Sequence, residues 1–283
     1  SVKVLFVGGR RHVLADLLTY TSDVDVNVVA NTPLHRDPLI ERTGFTLSTG
    51  RDQLIDRILH ADFDILISSG LGYILPIRDL PEKTYVNIHP SFLPDLRGVD
   101  PIPGSILFGR DSGATCHIMD DGIDTGPIIS RVKIPFSDDL TASLLYQLSY
   151  RAERMCFSEA WDRSFAPAGV DQSLDGTMYF TQTESTRVIP FSATDDAVLR
   201  VVRAFVRGDQ GAVFFVGDRE VRCHSCMVST NSFLAQSFPD AADDEIVLAY
   251  EDTVVVKRPS AFLVLSELSE TSAQWLGHTV RGR

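Results

Sequence analysis

Tyr85-Val86-Asn87-Ile88-His89-Pro90-Ser91-Phe92-Leu93-Pro94-Asp95-Leu96-Arg97-Gly98 is the stretch on which the fold turns. Tyr85–His89 reads as a strand, and two prolines followed by Arg97-Gly98 carry the chain away from it as a loop. Side chains alternate between the faces of a strand, so Asn87 and His89, two residues apart, share one face. They stand at the carboxyl end of the run, where open α/β sheets bind ligands.

The same texture extends outward from this strand. Val2–Val7 reads as a buried first strand, followed by a helical stretch around Val13–Tyr20 and an alternating run over Val24–Ala30. Leu54, Ile55, Ile58 and Leu59 recur at helical spacing within Asp52–Ala61, and Asp64–Ser68 is a short apolar run. Downstream come a helical Pro101–Gly109, strands near Ala114–Met119 and Ile128–Pro135, and a long amphipathic helix over Thr141–Arg163. Buried strands alternating with helices predict an α/β fold, a Rossmann-like, mostly parallel sheet in three layers.

After about residue 180 the pattern changes. A helix is expected over Thr194–Val206, opened by a Ser/Thr/Asp cluster suited to capping. The runs beyond it are strand-like: Ala212–Val216, Val221–Val228, Glu245–Tyr250, Thr253–Lys257 and Phe262–Leu268. The expected organisation is a catalytic domain over residues 1–180 and a C-terminal domain over 181–283, the latter a linker helix and a small all-β domain. Segment Pro167–Asp195 could join either part. A chain of 283 residues is long enough for both.

Composition narrows the function. The net charge is −12, which repels a polyphosphate backbone, so no nucleic-acid partner is expected. No apolar run approaches the roughly 20 residues of a membrane span, no signal peptide is legible, and a cytoplasmic location follows by default. A homodimer stays open. Cys223-His224-Ser225-Cys226 has zinc-like spacing, yet no second Cys or His pair completes four ligands, and reduced thiols on an alternating strand are expected instead.

Three segments converge on chemistry. Asn87 and His89 end one strand. Met119-Asp120-Asp121-Gly122-Ile123-Asp124-Thr125-Gly126-Pro127 forms a polar loop between two strands. Gly70-Leu71-Gly72-Tyr73-Ile74-Leu75-Pro76 follows the strand Asp64–Ser68. An amide, an imidazole and a carboxylate suit acyl transfer to an amine. Asn87 and a protonated His89 can donate to a developing oxyanion, and Asp124 can accept the proton that the attacking nitrogen must lose. There is no Gly-x-Ser-x-Gly elbow, and no Gly-x-Gly-x-x-Gly follows the first strand, so serine-hydrolase and dinucleotide-binding readings fall away.

Asn-x-His-Pro-Ser-x-Leu-Pro, then x-x-Arg-Gly, then Asp-x-Gly-x-Asp-x-Gly-Pro-Ile some thirty residues on, resembles the N10-formyltetrahydrofolate-dependent formyltransferase superfamily. The resemblance covers roughly residues 1–165. It implies that Asn87, His89 and Asp124 are catalytic, and that N10-formyltetrahydrofolate is the co-substrate. It also implies that Tyr73, Ile74 and Leu75 with Met119, Asp120, Asp121, Gly122 and Ile123 wall a pterin pocket. The helix containing Val202-Arg203-Ala204-Phe205 and the β domain after it look like the C-terminal part of the tRNA-formylating and some sugar-formylating branches. The tRNA branch usually places Arg where this chain has Asp95. From residue 206 onward seven Arg and Lys face eleven Asp and Glu, a net of −4, whereas a domain that grips tRNA should be basic. A purine-pathway enzyme would lack the appended domain. The expected acceptor is therefore a small-molecule amine, a nucleotide-linked amino sugar, with Arg10, Arg11 and Arg97 as candidate phosphate contacts. The alternatives are an amino-acid side chain such as hydroxyornithine in siderophore biosynthesis, methionyl-tRNA, or a folate-binding module without catalysis.

Overall fold

The computed structural model describes residues 1–29 and 32–282. In chain order the first part contains β1 (Val4–Val7), α1 (Arg11–Tyr20), β2 (Val24–Val29), α2 (Pro38–Glu41), β3 (Phe45–Ser48) and α3 (Arg51–His60). It continues with β4 (Ile65–Ser69), β5 (Thr84–His89), α4 (Pro101–Phe108), β6 (Ser112–Ile118), β7 (Ile128–Ile134) and α5 (Ala142–Asp162). Ala30, at the end of the alternating run, lies outside the described residues. The short elements α2 and β3 had no periodic signal long enough to be read.

Seven strands form one sheet in the order β3-β2-β1-β4-β5-β6-β7. The first five are parallel, while β6 runs antiparallel to β5 and β7 antiparallel to β6. All four residues of β1 and all five of β4 are buried, the continuous apolar pattern of strands covered on both faces. Alternate residues enter different cores. Val4, Phe6, Val86 and Ile88 pack with Leu14 and Leu17 of α1 and Phe157 of α5. Leu5, Val7, Leu66 and Tyr85 pack with Leu54 and Ile58 of α3. By this alternation Asn87 and His89 fall on the face of Tyr85, the α3 face.

The chain packs as two compact units, one of Ser1–Pro101, Asp111–Pro135 and Gln147–Phe180, the other of Ile102–Arg110, Phe136–Tyr146 and Thr181–Arg283. Thus most of α4 and the first turn of α5 group with the second unit. That unit also holds α6 (Asp195–Phe205), β8 (Ala212–Val216), β9 (Arg219–Cys223), β10 (Ser225–Ser229), α7 (Ser232–Ser237), β11 (Ile246–Tyr250), β12 (Thr253–Lys257), β13 (Phe262–Ser266) and β14 (Val280–Arg281). Thr194 caps α6 by accepting from Ala197 N at 3.3 Å.

The run Val221–Val228, read as one strand, is two. The chain turns at His224, so β9 joins the sheet β14-β8-β9 and β10 joins the sheet β10-β13-β12-β11. The ring nitrogens of His224 face the carbonyls of Glu267 and Asp209 at 2.8 and 3.2 Å, which holds the corner. A further difference is α7, capped by Asn231 inside a region that reads as strands alone. All four cysteines are free. Among the described residues no helix is long and apolar enough to cross a membrane.

Candidate active site

The register of β5 against β6 builds the floor of the site. Asn87 pairs directly with His117, and both side chains meet Asp124 from the loop after β6. Asn87 Nδ2 lies 3.4 Å from Asp124 Oδ1 and 3.3 Å from His117 Nε2. His117 Nε2 is also 3.4 Å from Asp124 Oδ1, and His89 Nδ1 is 3.4 Å from Asp124 Oδ2. Both histidines are buried and the Asp124 side chain is 12% exposed, so the carboxylate is largely withdrawn from bulk solvent. Asp124 sits at φ +53°, a left-handed conformation that Asp tolerates better than most residues. His117 had not been singled out in the sequence. Its signal was faint, namely its place two residues before Met119 on the strand feeding the polar loop.

Charge in this cluster is settled by geometry. Burial alone would raise the Asp124 carboxyl. The hydrogen bond from His117, the charge of His89 and the Gly98 N–H donor at 3.0 Å outweigh it and hold the group at about 2. Burial pushes His89 below the ordinary imidazole value, against the pull of Asp124 and of the Leu96 carbonyl. His89 Nε2 donates to Leu96 O at 2.8 Å, which places the ring proton there and leaves Nδ1 facing the carboxylate. Both ring nitrogens of His89 thus face oxygen acceptors, an arrangement that favours the doubly donating ring, while burial disfavours its charge.

A cavity of about 370 Å³ opens over these groups. Its walls include Tyr73, Ile74, Leu75, Met119, Asp120, Gly122 and Ile123, together with Asn87, His89, His117 and Asp124. Asp121 stands apart from this wall. Its carboxylate pairs with Arg78 at 3.0 Å and accepts from Arg78 N, which ties the loop to the turn after β4 instead of facing a ligand. Of the three arginines proposed for phosphate, Arg10 lines the cavity. Arg11 pairs with Asp37 at 2.6 Å and Arg97 donates to Gln172 at 2.8 and 3.2 Å, and neither is among the residues that line the cavity.

A strap from the segment after α5 braces the same loops. Gln172 Nε2 donates to Gly126 O at 2.5 Å, and Met178 N donates to the Asp95 carboxylate at 2.8 Å. Asp95 thus anchors this strap, and it no longer argues about an RNA backbone. Tyr179 lies against Gly98, where a Cβ would come within 2.5 Å of the Tyr179 ring. With φ +100° and its N–H on Asp124, Gly98 is a position only glycine fills without strain.

A family model described as formyl transferase matches residues 13–161. Among curated proteins the chain is similar to the methionyl-tRNA formyltransferase of Burkholderia vietnamiensis, 29% identical over 180 residues, 61% of this chain and 55% of that protein. The match thus spans little more than half the length of that relative. Among solved structures it is similar to WlaRD, a sugar 3N-formyl transferase in the presence of dTDP and 5-N-formyl-THF, with a TM-score of 0.71, 19% identity and coverage of 97% of this chain and 99% of that one. It is similar too to the N-formyltransferase from Helicobacter canadensis in complex with folinic acid and dTDP-3-aminofucose, with a TM-score of 0.70, 18% identity and coverage of 96% and 100%. At these identities the structures establish a common fold.

Proposed function

This chain belongs to the formyl transferase family, and from that membership we propose that it transfers a formyl group from N10-formyltetrahydrofolate to the amino group of a small acceptor, a nucleotide-linked amino sugar. The observation that carries this reading is the convergence of Asn87, His89 and Asp124 on one cavity. A folate fits the residues present. Tyr73, Ile74, Leu75, Met119 and Ile123 offer apolar surface, and Gly122 leaves its backbone open to a pterin edge. When bound, the folate supplies the activated formyl group.

The side chains divide the remaining work. Asn87 Nδ2 holds only long bonds, at 3.3 and 3.4 Å, and can turn a hydrogen to an oxygen that gains negative charge. Asp124 alone, held at about 2, is a weak base. His89 Nδ1 stands 3.4 Å away, and Asp124 stabilises charge on the ring. The proton lost by the amine is thereby received by the pair. His117 orients Asp124 from the opposite side.

The amino sugar is favoured over tRNA by the net −4 from residue 206 onward, a sign that repels a nucleic-acid backbone. Supporting it further, the two similar structures are of a sugar 3N-formyl transferase in the presence of dTDP and an N-formyltransferase in complex with dTDP-3-aminofucose. The test is calorimetric titration with 5-formyltetrahydrofolate, followed by a turnover assay in which a panel of dTDP- and UDP-linked amino sugars, hydroxyornithine and initiator methionyl-tRNA compete as acceptors. Turnover with an amino sugar is expected. Turnover with tRNA alone would overturn the acceptor assignment.

A further inference from the structure

The cavity straddles the carboxyl edge of the sheet. On one side it rests on the α3 core, through Leu75 and the packed Leu71, Tyr73 and Met119. On the other it is bounded by Arg10, whose guanidinium bonds Glu153 of α5 and lies 5.7 Å from the centre of the Tyr150 ring. Arg10 is the one Lys or Arg among the described residues lining the cavity. Its charge is close enough to His89 to help lower the imidazole value.

Glu153 has no evident structural purpose. Its side chain is 0% exposed, Arg10 is its ion-pair partner, and its Oε2 has no partner among the described residues. It sits on the turn of α5 that also buries Cys156 and Phe157. Buried ion pairs seldom exceed an apolar replacement in stability, so a leucine would serve packing at least as well. What the carboxylate does accomplish is to hold Nη1 of an arginine that is itself 21% exposed and lines the cavity. A guanidinium fixed in this way is suited to bidentate contact with phosphate. Arg11 and Arg97 are not among the residues that line this cavity.

We propose that Glu153 is a positioning residue that holds Arg10 to receive the phosphate oxygens of the acceptor's nucleoside diphosphate, on the α5 side of the cavity. The assignment rests on the amino-sugar nucleotide reading given above. It divides the cavity, with the folate on the α3 side and the diphosphate on the α5 side.

The experiment is calorimetric titration of dTDP, with UDP beside it, into the full chain and its variants, and titration of 5-formyltetrahydrofolate as the control. Arg10→Met alone would leave a buried carboxylate unpaired, so the variants are Glu153→Gln, Glu153→Leu and each combined with Arg10→Met. Glu153→Leu should weaken dTDP by about tenfold, the size of one charge-assisted hydrogen bond. Glu153→Gln keeps an oxygen that can accept from the guanidinium and should lose less. Once Arg10 is replaced by Met, the difference between the Gln and Leu variants should vanish, because Glu153 acts through Arg10. Folate affinity should stay constant throughout, with the melting temperature of Glu153→Leu unchanged or raised. Unchanged or tighter dTDP binding in Glu153→Leu overturns the positioning role while the acceptor reading stands, and so does an equal loss of folate binding. A native chain that binds folate and neither nucleotide overturns both.

Discussion

Replacing Asp124 by Asn alters one atom and removes one charge, which makes it the sharpest probe of the site. The backbone should tolerate it, since Asn is as much at home as Asp at φ +53° and its amide oxygen can still accept from Gly98 N. The carboxyl is held at about 2 against an ordinary 3.8. At roughly 1.4 kcal/mol per unit, the folded site favours the ionised form by about 2–3 kcal/mol. A depressed carboxylate stabilises the fold above its unfolded value and loses that contribution as pH falls from about 4 toward 2. Asp124→Asn should therefore cost up to about 2–3 kcal/mol near neutral pH and converge with the native protein in acid. Turnover should fall much further, by about 10² or more, because His89 would receive a proton with no carboxylate beside it. The assay is tetrahydrofolate release under saturating acceptor, with folded fraction from circular dichroism and folate affinity from calorimetry. Near-normal kcat in a folded variant would refute the reasoning.

Other expectations follow from the same geometry. His89, lowered by burial, is charged more readily in the unfolded chain, so it should cost stability as pH falls below the ordinary imidazole value near 6.5. The acid limb of kcat should lie below that value too, and His89→Asn should flatten the stability slope over the same range; an unchanged slope would show that the ring is not buried neutral. Gly98→Ala should destabilise by about 1–3 kcal/mol and depress kcat, because the new methyl meets Tyr179 and strains φ +100° while disturbing the Asp124 donor. Adding Tyr179→Ala should recover only the steric part, and full recovery would remove the strain argument. Initiator tRNA should bind weakly in a filter assay, and submicromolar affinity with a steep salt slope would contradict the acidic C-terminal region.

Much of the fold was legible in local pattern. A strand buried on both faces and a helix with one apolar stripe impose periods of their own, and Val4–Val7, Leu54 to Ile58 and Tyr85–His89 show them without help. The two-residue spacing put Asn87 and His89 on one face for the same reason, since strand side chains alternate whatever the strand pairs with. The boundary at His224 was not legible, because the residues of β9 and β10 have one strand-like texture and only pairing with β8 and β13 sends them to different sheets.

What the tertiary structure decided is who meets whom. His117 joins Asn87 only through the register of β5 against β6, which no local period contains. Asp121, Arg11, Arg97 and Asp95 carry charges that look available along the chain, yet Arg78, Asp37, Gln172 and the Met178 N–H take them up across separations of 26 to 83 residues. Arg10 and Glu153 find each other across 143. Backbone period and turn chemistry depend on neighbours in sequence and can be read there. The partner of a charge depends on neighbours in space, and the chain acquires those only when its sheet and helices have packed.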